Sequence, residues 1–115
     1  MAEEIPGGLS VANEVIADLA GYAALESYGV VGMAAPTLQD GIAKILPKQR
    51  LRRGIIVESG DEGVSLDLFV VIEYGTNISA VSKNLVENVK FALQDLASVK
   101  IDNIDVHVQG VKIRE

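Results

Sequence analysis

The stretch from Val64 to Ala97 changes its hydrophobic period once, and that change constrains the chain most. Val64, Leu66, Leu68, Val70 and Ile72 alternate with Ser65, Asp67, Phe69, Val71 and Glu73. A period of two over this length, rich in β-branched residues, predicts a strand with one fully apolar face. Phe69 and Val71 make the second face partly apolar, as in a central strand. Gly75 ends the run, and from Ile78 the period lengthens. Ile78, Val81, Leu85, Val89, Ala92 and Leu96 fall three or four apart, on one stripe of a helix over 78–97. Lys83, Asn84, Glu87, Asn88, Lys90 and Asp95 take its flanks and back. Asn77 or Ser79 is placed to cap the helix start. A strand and a helix with one oily face each pack on one another.

The rest of the chain reads as completing that pair. Residues 1–6 are expected to be a disordered lead ended by Pro6, and residues 7–115 a single domain. Gly7 to Val11 reads as a short edge strand or an entry turn. A helix over 13–26 follows, capped by Ser10 or Asn13, with Val11, Ala12, Val15, Ile16, Leu19, Ala20 and Ala23 inward. Val30 to Met33 reads as a short strand. Thr37 is placed to cap a short helix, Leu38 to Leu46, closed by Pro47, with Ile42, Ile45 and Leu46 inward. Ile55 to Glu58 is a strand, joined to 64–73 as a hairpin through the turn residues Ser59 to Gly63. The C-terminal run Val99 to Ile113 is a strand whose apolar parity slips twice, around Asp102-Asn103 and at Gly110, as a bulge produces. The helix before it is a crossover, so this strand is expected parallel to 64–73. The fold class expected is α+β: a two-layer sandwich of a small mixed β-sheet with two main helices packed on one face.

Charge narrows the functions. The net charge is −6, and five of the ten basic residues (Lys44, Lys48, Arg50, Arg52 and Arg53) share one window without an acid. The remaining chain then carries five basic against 16 acidic residues. Nucleic-acid binding through bulk charge is disfavoured, because counterion release needs clustered cations. The basic segment reads as a solvated loop or as an electrostatic contact with lipid headgroups, another copy or an acidic partner. Phe69 and Val71, on the sheet face away from the helices, are the candidate apolar contacts.

A search for chemistry finds no reaction centre. No cysteine is present, which excludes disulfides, thiolate metal sites and a cysteine nucleophile. The single histidine, His107, alternates with Val106 and Val108 and reads as a partly exposed strand residue. No nucleophile elbow, phosphate loop or dinucleotide fingerprint occurs. Asp61-Glu62 and Asp102/Asp105 read as surface acids, and Asp67 as a candidate partner for an arginine of the basic segment. Gly29-Val30-Val31-Gly32 has the Gly-x-x-Gly spacing of a KH-type RNA clamp but apolar flanks. No enzymatic activity, cofactor or metal is expected. No apolar run approaches 18 residues, and the N-terminus Met-Ala-Glu-Glu-Ile-Pro lacks the parts of a secretory signal. Direct membrane insertion is therefore not expected, and the default expectation is a cytoplasmic protein.

Several runs together carry a family signature: Ile16 to Glu26 (IADLAGYAALE), Tyr28 to Met33 (YGVVGM), Arg53 to Val57 (RGIIV), Val70 to Ile78 (VVIEYGTNI), Glu87 to Lys90 (ENVK) and Val106 to Val111 (VHVQGV). In this order and over nearly the whole length, the chain resembles the alkaline shock protein 23 family of envelope stress response proteins. The resemblance is to a minimal member, expected to be without the charged low-complexity tails of some relatives. The resemblance implies a small α+β cytoplasmic protein without catalytic residues. Some such proteins self-associate and are held at the membrane by a small membrane-anchoring protein. The function this implies is a non-enzymatic interaction or scaffold protein of cell-envelope homeostasis and stress response. The alternatives are a KH-like nucleic-acid-binding module and an accessory subunit of a metabolic enzyme.

Overall fold

A computed structural model describes residues 6–36 and 45–113. The element order is α1 (Pro6–Leu25), β1 (Val30–Met33), a 3-10 turn (Lys48–Gly54), β2 (Ile55–Gly60), β3 (Gly63–Glu73), α2 (Ile78–Lys90), a π-helical segment (Phe91–Leu96) and β4 (Ile101–Lys112). β3 is central. β2 pairs antiparallel with its first half, Ile55 opposite Leu68 and Gly60 opposite Gly63. β1 pairs antiparallel with its second half, Val30 opposite Ile72. β2 and β1 thus lie end to end along one edge of β3, and β4 runs parallel along the other. The sheet is mixed, as the crossover argument requires.

The slips in the last strand are both bulges. Val64 pairs with Ile101 and Ser65 with Asn103, leaving Asp102 over; Val70 pairs with Val108 and Val71 with Gly110, leaving Gln109 over. Each extra residue turns the strand over; at the first fault this lets Ile101 and Ile104, on either side of it, both pack against the core.

Both helices cover one face of the sheet. Ile16, Ala20 and Ala24 of α1, Leu66, Leu68, Val70 and Ile72 of β3, and Val81, Leu85 and Val89 of α2 bury together. α1 begins at Pro6, so residues 7–11 are helix rather than the expected edge strand or entry turn, and Ser10 and Asn13 lie inside it rather than at its cap. Proline suits a first helical position, where no intrahelical N–H bond is needed. Asn13 serves elsewhere, its Oδ1 accepting from Ser59 Oγ at 3.1 Å. The buried face of α1 is turned slightly from expectation: Ile16 and Ala20 are inside as expected, but Ala17 and Ala24 join them, whereas Val15 is half exposed. Close approach selects the small residues. At Gly21 a Cβ would stand 3.3 Å from both Leu51 and Ile55.

Two asparagines hold the turn after α1. Ser27 is buried; its Oγ donates to Ala23 O and accepts from Asn88 Nδ2, both at 2.9 Å. One helical turn earlier, Asn84 Oδ1 accepts from Tyr28 N at 3.1 Å. The sequence pattern places both on the polar flank of α2, where they dock that helix on the α1–β1 turn.

Asn77 Oδ1 caps α2 by accepting from Ala80 N at 2.9 Å. The inward stripe departs from expectation at both ends: Ile78 at the start is 53% exposed, and at the far end Leu93 is fully buried whereas Leu96 is 71% exposed. Val81, Leu85, Val89 and Leu93 are four apart. In an α-helix each such step overshoots a full turn by about 40°. The wider π segment takes up the accumulated drift and keeps Leu93 on the core. The segment ends with Ser98 at φ 57 and Val99 N donating to Leu93 O at 2.7 Å, one residue farther back than the six-to-one bond of a Schellman stop, as the wider π turn requires. Glycine adopts that conformation without the Cβ penalty. Ser98→Gly is therefore expected to stabilise the domain by about 0.5–1 kcal/mol in a urea melt; no gain, or a loss, would show that the serine side chain is needed there.

Of the short helix expected over 38–46, capped by Thr37, residues 37–44 lie outside the described residues. At its end Ile45 bridges Ala34, and Leu46 N donates to Met33 O at 2.8 Å, so this end is extended.

Candidate interaction surfaces

Of the predicted basic cluster, Lys44 lies outside the described residues and Lys48 is placed only as the first residue of the 3-10 turn. That turn is tied to the body rather than looped into solvent. Leu51 is buried in the core, and Arg52 reaches back to α1. Arg52 Nε donates to Asp18 Oδ1 at 2.7 Å, Nη2 to Asp18 Oδ2 at 3.0 Å, and Nη1 to Glu14 Oε2 at 3.3 Å. This two-pronged clamp occupies Arg52 internally. Arg50 and Arg53 are exposed.

The Arg52 hydrogen bonds hold the Asp18 carboxyl below its ordinary range against a weak opposing effect of burial. A carboxyl with a lowered folded-state pKa stabilises the fold at pH values above its unfolded pKa of about 3.9. That contribution is lost as pH falls through the lower folded value. The pair is solvent-exposed, so the effect is small. The Tm of Asp18→Asn is expected to lie a few degrees below wild type from neutral pH down to about pH 5, with the two converging in stronger acid. A gap that does not change with pH would rule the clamp out as its cause.

The sheet face away from the helices is divided. Val71 is 0% exposed, so it offers no contact surface, contrary to its expected place beside Phe69. The backbone after β1 leads across this end of the face: Pro36 O accepts from Gln109 Nε2 on β4 at 3.1 Å. Toward the other end, Phe69 is half-buried and stacks on His107, centroids 4.5 Å apart and planes within 13°. His107 Nε2 lies 2.9 Å from Asp67 Oδ1. Asp67 thus pairs with the histidine rather than with an arginine of the basic segment. Register explains the cluster: Asp67 stands opposite Asp105 and Phe69 opposite His107 in the parallel β3–β4 pair. No local sequence signal joins residues 40 positions apart.

Gly29-Val30-Val31-Gly32 does not form a clamp loop between helices. Gly29 is the last turn residue before β1, and Val30 and Gly32 are buried in that strand against β3. Ile45 Cγ2 stands 2.5 Å from where a Gly32 Cβ would project, so this glycine serves packing. The KH-like reading is withdrawn on this geometry.

On the helical layer, Phe91 and Leu96 are exposed and line a shallow groove with Ala23, Glu26, Asn88 and Ala92. A second groove runs between α2 and β4, lined by Ser82, Lys83, Val86, Glu87, Ile104, Asp105 and Val106. Among the described residues, no group of three or more His, Cys, Asp or Glu is placed to hold a metal ion. No helix among them is long and apolar enough to cross a membrane.

These features define a small two-layer α+β domain whose prominent surfaces are grooves and a stacked, charged sheet face. The MamM CTD shares the fold: a zinc form of one variant aligns at TM-score 0.52 over 91% of this chain and 89% of that one, at 12% identity. Residues 1–113 match the family described by a cell envelope-related function, and the chain belongs to that alkaline shock protein 23 family. It is 37% identical to YloU of Bacillus subtilis over 108 residues, 93% of this chain and 90% of that protein. It is 39% identical to Spy1614 of Streptococcus pyogenes serotype M6, covering 93% and 89%. It is also similar, at 23% identity, to a Streptococcus pyogenes protein named stress response regulator gls24 homolog, spanning all of this chain and 64% of that one.

Proposed function

We propose that this protein is a non-enzymatic interaction protein of cell-envelope homeostasis and stress response. In this reading it self-associates and docks on a small membrane-anchoring protein. The observation that carries it is the family match over residues 1–113, described as cell envelope-related. The name of the gls24 relatives supports the stress component. The surface supports an interaction role, because large apolar side chains at Tyr22, Phe91 and Leu96 stay exposed on the helical layer. Arg50 and Arg53, exposed on an otherwise acidic body, supply orientation toward an acidic partner surface.

Fractionation of native cells tests the reading. The protein is expected in the membrane pellet, although no described helix crosses a bilayer, and is expected to leave it when the anchoring protein is deleted. Recovery in the supernatant both at rest and under envelope stress would overturn the envelope-docking role.

A further inference from the structure

β4 is an edge strand. Its inner side pairs with β3, and among the described residues nothing pairs with its outer side. An unpaired edge presents free N–H and C=O groups to any strand that fits. Beside this edge lies the groove of about 410 Å³ between α2 and β4, floored by Val86, Ile104 and Val106 with Lys83 and Glu87 at the rim. Ile104, Val106 and Val108 face the helical layer yet stay only half-buried. The bulges at Asp102 and Gln109 bracket a regular stretch, 103–108, available for pairing.

We propose that this edge takes the β4 strand of a second copy, antiparallel, with the two-fold axis at Val106. The proposal rests on the self-association part of the reading above and adds its surface and register. In a two-fold antiparallel pair, residues whose numbers sum to twice the axial residue stand opposite each other on the same face. With the axis at Val106, Val106 meets itself and Ile104 meets Val108, closing both grooves with apolar contacts. On the other face Asp105 meets His107 of the second copy, twice. Moving the axis to Asp105 opposes two carboxylates, which is unfavourable. Moving it to His107 leaves Asp105 opposite the bulge residue Gln109. On the helix side, exposed Lys83 and Glu87 are one turn apart on α2, and a two-fold brings each toward its opposite charge. This self-complementarity favours a second copy over an unrelated strand.

The chain has no cysteine, so single-cysteine variants report the register directly. At the axis the two Cα atoms would be about 4.5–5.5 Å apart, within disulfide range. Two copies of residue 103 would be roughly 20 Å apart, and of residue 111 roughly 30 Å or more. Under mild oxidation of the purified chain, Val106→Cys is expected to form a disulfide dimer, while Asn103→Cys and Val111→Cys stay monomeric. Light scattering of the unmodified chain is expected to give twice 12.2 kDa. Asp105→Arg, at an exposed site that spares the fold, is expected to raise the dimer dissociation constant roughly tenfold through loss of two cross-strand pairs. Cross-linking of Asn103→Cys or Val111→Cys as fast as Val106→Cys would overturn the register. A chain monomeric at all concentrations would overturn the pairing and leave the edge to a strand from another protein. Each result is read on purified protein, independent of whether the chain pellets with membranes.

Discussion

Leu68→Ala is expected to bring the domain close to unfolding. Leu68 is fully buried at the middle of β3, opposite Ile55 on one side and Val106 on the other, under the helical layer. Truncating such a leucine removes its transfer free energy and leaves a cavity, about 2–5 kcal/mol together. A domain of this size has only about 5–15 kcal/mol in total. The Tm is expected to fall by roughly 10–20 °C, with a matching shift of the urea midpoint. Ile56→Ala is the control, since Ile56 is 39% exposed on the opposite face. Its cost is expected to stay within about 1 kcal/mol. Equal losses at the two positions would refute the two-layer arrangement in which only one face of β3 is covered by helices.

The second large effect is expected at Gly29, where two costs combine. Its φ is +79°, a conformation that costs a side-chain-bearing residue about 1–3 kcal/mol. A Cβ there would also lie 2.5 Å from Cγ2 of Val81, a fully buried residue of α2 that cannot move without repacking the core. Gly75 separates the two terms: its φ is +91°, but nothing lies within 4 Å of its Cβ position. Gly75→Ala therefore pays for backbone conformation alone, and Gly29→Ala is expected to destabilise by at least about 1 kcal/mol more. In the double variant Gly29→Ala/Val81→Ala the overlap disappears. Its cost should be less than the sum of the single costs, with a coupling of about 0.5 kcal/mol or more. Strict additivity would mean that the two residues are not in contact.

The motif Gly-x-x-Gly shows why such positions mislead a reader of sequence. Two glycines three apart invite a ligand-binding reading, yet one permits a positive φ before β1 and the other makes room for Ile45. Both are answers to packing between residues distant in the chain. The same holds for Arg52, one of five bases in a row-like cluster, which is singled out only because the 3-10 turn aims it at Asp18 and Glu14. Asn84 and Asn88 read only as part of the polar flanks and back of α2 until the α1–β1 turn is placed against them.

What the sequence alone determined is whatever periodicity encodes. The alternation over 64–73 and the shift to a spacing of three to four after Gly75 specify β3 and α2. The double parity slip in 99–113 specifies two bulges within one residue of where they occur. These are local consequences of which face is oily, and burial of apolar area enforces them. Tertiary structure alone decided where α1 turns its small residues, how a π segment re-aims Leu93, and that Val71 is covered on the face away from the helices. It also brought Asp67, Phe69 and His107 together and left the outer edge of β4 open beside α2. Each of these depends on a distance between segments far apart in sequence, and a linear pattern of hydrophobicity carries no information about such distances.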